Sequence, residues 1–164
     1  MSKNHFQIVE VPVKPYLKQF ILVINGAEPL APRKDKLFGK LFYAMLEKKH
    51  GVAKQTSDLL NDRIKVMLDT LHYVPGADPR SNEVRADSKM AADFNNTYEQ
   101  LFNQYLYSYL SAAKHSNKEL KSSCIAFLQH LKIDNEMLDV DSALKRFQRQ
   151  RKRIKDNKRK MQKT

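Results

Sequence analysis

The side chains whose types and spacing could do chemistry lie together near the C-terminal end: Lys145, Arg146, Gln148, Arg149, Arg151, Lys152, Arg153, Lys155, Lys158, Arg159 and Lys160. That chemistry is recognition of a polyanion. Guanidinium forks and ammonium groups neutralise phosphates, and Arg and Gln also match the edges of guanine and adenine. From Ala143 to Thr164 there are eleven basic residues against the single acid Asp156, which accounts for nearly all of the formal net charge of +12. A chain that is basic only for solubility spreads its charge, whereas here the charge is concentrated at one end of a body that is almost neutral. The bland alternative is a solvated basic tail with no partner.

The element that must position these groups is a helix. Val140, Leu144, Phe147, Ile154 and Met161 follow at spacings that keep one stripe, no Gly or Pro interrupts them, and Asp139 or Asp141 caps the start. With Val140, Leu144 and Phe147 turned inward, Lys145, Arg146, Gln148, Arg149, Lys152 and Arg153 face out. Arg151 and Lys158 then interrupt the apolar stripe. The expectation is that 141–150 packs on the body and the rest projects, ordered once phosphates neutralise it. Gln148 and Arg149 are candidates for reading bases, with pure phosphate contact the equal alternative.

The remainder of the chain supplies the body. Phe6 to Val13 alternates as a strand with Pro12 near an edge, and Pro15 opens a helix that carries Tyr16, Leu17, Phe20, Ile21 and Ile24 and stops at Asn25–Gly26. An extended connector, 28–32, leads to a second helix over 35–49, with Leu37, Phe38, Leu41, Phe42, Met45 and Leu46 inward. Over 57–71 two periods conflict, helical and alternating, and a strand over Arg63–Asp69 is favoured on the resemblance given below. Pro, Gly, Ser, Asn and Asp cluster over 75–87, a loop. A long amphipathic helix over 88–112 follows, then Ser116 and Glu119 as an S-x-x-E capping box, a helix carrying Leu120, Cys124, Phe127, Leu128 and Leu131, and the basic helix. The expected fold is therefore α+β and mostly helical. A small N-terminal strand-helix lobe (1–74) and a linker (75–87) precede a three-helix, helix-turn-helix-like unit (88–164) that ends in the basic helix. In such units the last helix enters the major groove, although the link from Leu131 to Asp139 exceeds the usual tight turn.

Other chemistries find no support in the residues. The histidines at 5, 50, 72, 115 and 130 are scattered, the lone Cys124 sits on an apolar stripe, and there is no P-loop, dinucleotide turn, serine elbow or H-E-x-x-H. No enzyme, cofactor or metal is expected. Of the tyrosines, 98, 105 and 109 fall on the buried stripe of the long helix and only Tyr107 lies off it, so stacking on bases is the lesser reading. A content of 41% hydrophobic residues excludes wholesale disorder. One cysteine, no apolar leader and no stretch of membrane length point to a cytoplasmic protein away from membranes.

Three segments carry a resemblance: Val13–Lys14–Pro15–Tyr16–Leu17–Lys18, then Leu37–Phe38–Gly39–Lys40–Leu41, then Ile125–Ala126–Phe127–Leu128 through Ile133 to Leu144–Lys145–Arg146–Phe147–Gln148–Arg149. In these the chain resembles small basic proteins of bacterial phages and integrative mobile elements. The resemblance implies a strand at Arg63–Asp69, an N-terminal α+β piece and helices with a basic end. Val74 to Ser88 departs from it. The functional expectation is a non-enzymatic DNA-binding protein, a regulator or a replication or maintenance accessory, that contacts duplex DNA through the basic helix. The N-terminal lobe would hold a second copy or a protein partner. The alternatives are binding of RNA or single-stranded DNA, and an interaction or virion-associated protein with an acidic protein partner.

Overall fold

Alternation wins over helical spacing in the contested segment. In the computed structural model, which describes residues 6–33, 35–47, 61–69 and 88–161, β1 (Phe6–Val13) pairs antiparallel with β2 (Asp62–Asp69). The register sets Val9 opposite Val66 and Val11 opposite Ile64. Val9, Val11, Val13, Ile64, Val66 and Leu68 are buried, while Arg63 and Lys65 face out, so the same eight residues read as a strand with one wet face. Two strands alone are marginal in water, and this pair is reinforced. Leu30 of the connector forms a parallel bridge to Val66, its N–H donating to the Lys65 carbonyl (2.8 Å) while its carbonyl accepts from Met67 N–H (2.8 Å).

The chain is α+β, with five α-helices and this two-stranded sheet among the described residues, and it forms two compact units, Met1–Tyr98 and Glu99–Thr164. The division falls inside the long helix; the loop expected over 75–87 lies outside the described residues. The reason is packing: the start of that helix completes the core of the first unit.

In the first unit, α1 (Pro15–Asn25) has proline at its first position, where the missing N–H costs nothing, and ends at Gly26, whose φ of 102° suits only glycine. Tyr16, Leu17, Phe20 and Ile21 are buried, but Ile24 is surface-exposed. α2 (Leu37–Glu47) begins two residues after Asp35; it buries Phe38, Phe42 and Met45 and leaves Leu37, off that face, exposed. Gly39 lets this helix pass the backbone of Arg33, since a Cβ would fall 2.0 Å from the Arg33 carbonyl oxygen. α3 (Ser88–His115) contributes Met90, Ala91, Phe94, Asn95 and Tyr98 to this unit. Phe42 and Phe94 meet edge-on at 6.3 Å, and Phe94 and Tyr98 lie 4.8 Å apart, pairs worth about 0.5–1.5 kcal/mol each beyond their area. Asn95 is the polar pin of the core. Its Oδ1 accepts from Lys14 N–H (3.0 Å), and its Nδ2 donates to the carbonyls of Pro12 (2.9 Å) and Ala91 (2.7 Å). Lys18 bridges Asp62 (2.9 Å) and Glu28 (3.7 Å). Burial works against its charge, but these carboxylates outweigh burial and raise its pKa.

In the second unit, the rest of α3 buries Phe102, Leu106, Leu110 and Ala113 together with residues of α4 (Leu120–His130) and α5 (Val140–Met161). From Phe94 to Leu110 the buried row advances by four, which leaves Tyr105 (53% exposed) and Tyr109 (44%) on the margin and not in the core as their spacing from Tyr98 suggests. Tyr107, off the expected stripe, instead packs on Phe147 with ring centres 5.6 Å apart. The capping box does not form. α3 runs on to His115 and Ser116 donates its N–H back to Ala112, while Glu119 itself stands at the start of α4 and accepts from the Ser122 hydroxyl (2.6 Å). α4 ends with Lys132 in the left-handed region (φ 56°), Ile133 N–H reaching the Leu128 carbonyl (2.9 Å) and the Ile133 side chain buried. Nine residues, 131–139, separate α4 from α5, more than the tight turn of a helix-turn-helix.

Candidate nucleic-acid interface

α5 starts where the sequence places it. Asp139 Oδ1 accepts from Ser142 N–H (2.8 Å), and the hydrogen bonds of the Ser142 hydroxyl and N–H hold this carboxyl below its ordinary range. Asp134 shapes the approach by accepting from the N–H groups of Glu136 and Met137. The helix then continues without a break for 22 residues, a rise of about 33 Å, to Met161. The segment beyond Gln150 is part of this helix as far as Met161.

Its buried positions are Ala143 and Phe147, with Val140, Leu144, Gln150, Arg151 and Ile154 half-buried. The inward face is therefore rotated from the Val140–Leu144–Phe147 row toward Ala143. That rotation brings Arg146 in. Expected to face out, it instead extends its Nη1 to Glu99 Oε1 of α3 at 2.6 Å and to Asn103 Oδ1 at 3.5 Å, with about a quarter of each charged side chain exposed. Lys145, Gln148, Arg149, Lys152, Arg153, Lys155, Lys158, Arg159 and Lys160 are exposed and Arg151 half-buried. Among the described residues, no carboxylate pairs with Lys145, Arg149, Arg151, Lys152, Arg153, Lys155, Lys158 or Arg159.

These residues fall on two flanks of one rod. Lys145, Arg146, Arg149 and Arg153 line a cleft of about 310 Å³ with Glu99, Asn103, Ser142 and Gln150. Gln148, Arg151, Lys152, Lys155 and Arg159 gather on the other flank around Asp156. Lys158 and Lys160 lie on the distal turns. Glu99, Asn103 and Ser142 went unnoticed in the sequence. The available signal was that Glu99 and Asp93 are the only acids of α3, so a basic neighbour has few partners to choose from.

Among the described residues no cluster of three or more His, Cys, Asp or Glu is placed to hold a metal, and no helix is long and apolar enough to cross a membrane. Cys124 is fully buried, and burial pushes its thiol up to about 11, so it stays protonated and unreactive at neutral pH. Comparison with known protein families, with curated proteins and with solved structures gives no match.

Proposed function

We propose that this chain is a non-enzymatic DNA-binding protein that contacts duplex DNA through α5. The observation that carries the reading is the rod itself: eight cations, on both of its flanks, that no carboxylate of the described residues neutralises. An α-helix of about 10–12 Å diameter fits the major groove, which is about 12 Å wide. Cations on opposite flanks then face the phosphates of the two strands, while Gln148 and Arg149 are the candidates for reading base edges. Arg146 does not join them, since its charge is already matched. The resemblance to phage and mobile-element proteins would make the role regulatory, or accessory to replication or maintenance.

The test is titration of one labelled sequence as duplex, single strand and RNA at two salt concentrations. The expected result is tightest binding to duplex, with a log–log salt slope near −5 for about six neutralised phosphates. Preference for single strand or RNA would replace the duplex reading. Indifference to every nucleic acid at low salt, with capture of an acidic protein, would refute it.

A further inference from the structure

The two flanks of α5 differ: the one that carries Lys145, Arg149 and Arg153 borders a cleft against the Glu99–Asn103 turn of α3, and the one that carries Lys152, Lys155 and Arg159 is lined by residues of α5 alone. We propose that this cleft binds a phosphomonoester, foremost the terminal phosphate of a nucleic-acid strand. The strand part of the proposal rests on the reading of α5 above; the phosphate part does not.

Charge decides which anion suits the cleft. Four cations, Lys145, Arg146, Arg149 and Arg153, face a single carboxylate, Glu99, and that carboxylate is committed to Arg146. A phosphomonoester carries about −1.5 to −2 charges at neutral pH and three terminal oxygens, against one charge on a backbone phosphodiester, so the surplus favours the monoester. Lys145, Arg149 and Arg153 recur every fourth residue, about 6 Å apart along the axis, and a phosphate between two of them is reached by both. The Ser142 hydroxyl and the amides of Asn103 and Gln150 add neutral donors. Arg146, paired with Glu99 at 2.6 Å, forms one wall of the cleft. A volume of about 310 Å³ is at the lower end for small-molecule pockets. It admits a phosphate and its attached sugar, and excludes a duplex.

Anisotropy titrations of the full chain test this, with one blunt duplex bearing either a terminal phosphate or a terminal hydroxyl, and with adenosine monophosphate as the free monoester. The phosphorylated duplex should bind about tenfold tighter, the effect of one more charge-assisted contact. Lys145→Ala and Arg153→Ala should abolish that difference. Lys155→Ala, on the opposite flank, should weaken both duplexes alike and leave the difference intact. Adenosine monophosphate bound in a Lys145-dependent way without any preference between duplexes supports the cleft and makes the free nucleotide its source. A difference that survives both cleft substitutions overturns the proposal, as do equal duplex affinities with no adenosine monophosphate binding; in the latter case the reading of α5 stands. Were neither duplex to bind while the nucleotide does, the cleft would stand and the reading of α5 would fall.

Discussion

Arg146 and Glu99 form the pair whose disruption says most about how α5 is held. Their contact is short, 2.6 Å, and their side chains are 23% and 24% exposed, so the pair lies between a surface ion pair, worth about 0–1 kcal/mol, and a buried one, whose breakage costs about 3–5 kcal/mol. Arg146→Met leaves Glu99 half-buried without this cation and should cost about 2 kcal/mol, whereas Glu99→Gln keeps an acceptor and should cost about 1 kcal/mol. The double variant should be less destabilised than the sum by about 1 kcal/mol, because the second change alters a contact that the first has already broken. Urea denaturation of the four proteins measures this. The same variants carry a second readout: Arg146→Met should leave the salt slope of DNA binding unchanged, whereas loss of a phosphate contact lowers it by about 0.9. Additive costs, or a slope that drops with Arg146, would show that the guanidinium serves the ligand and not the fold.

Truncation after Gln150 should flatten the salt slope and weaken binding to all sequences alike while cooperative unfolding persists; loss of that cooperativity would mean the rod is structural. Arg149→Ala, in a selection from random duplexes, should relax sequence preference, and an unchanged preference demotes it to a phosphate contact. Asp139→Ala should destabilise the chain at neutral pH by removing the cap of α5. The folded carboxyl titrates below its unfolded value, so its contribution is present above the unfolded pKa and lost as pH falls through the folded one. Thermal unfolding at neutral and at acid pH should therefore show wild type and variant converging in acid. Asn95→Leu, similar in volume, strips the Lys14 N–H and the Pro12 carbonyl of these hydrogen bonds and should cost about 3 kcal/mol by urea denaturation. Lys132→Gly removes a Cβ from a left-handed position (φ 56°) and should gain about 0.5 kcal/mol after the added entropy of the unfolded chain, measured the same way.

Much of the fold was legible because local signals agreed. Pro15 and Gly26 bracket α1, Asp139 marks the start of α5, and the Val9–Val11–Val13 alternation marks β1. What could not be read was set by contacts distant in sequence. Arg63–Asp69 satisfies two periods, and only pairing with β1 selects between them. The Val140–Leu144–Phe147 row is a sound helical stripe, yet the burial of Ala143 depends on neighbours far away in sequence. Arg146 and Glu99 are 47 residues apart, and no local pattern announces them. The candidate site was visible as composition and invisible as geometry: the basic run showed that a polyanion could be held, but not that the run has two flanks or that one of them borders a cleft.

The crowding of like charge on α5 gives ionic strength two opposed jobs. Lys145, Arg149 and Arg153, and again Arg151, Lys155 and Arg159, stand four residues apart, a spacing at which equal charges push a helix toward unwinding. Mobile counterions relieve that internal push, so far-ultraviolet circular dichroism should gain helical signal as electrolyte is added, while the same electrolyte competes for the phosphates. On the DNA-binding reading proposed above, the free chain is thus best wound under the conditions in which it would hold the duplex least.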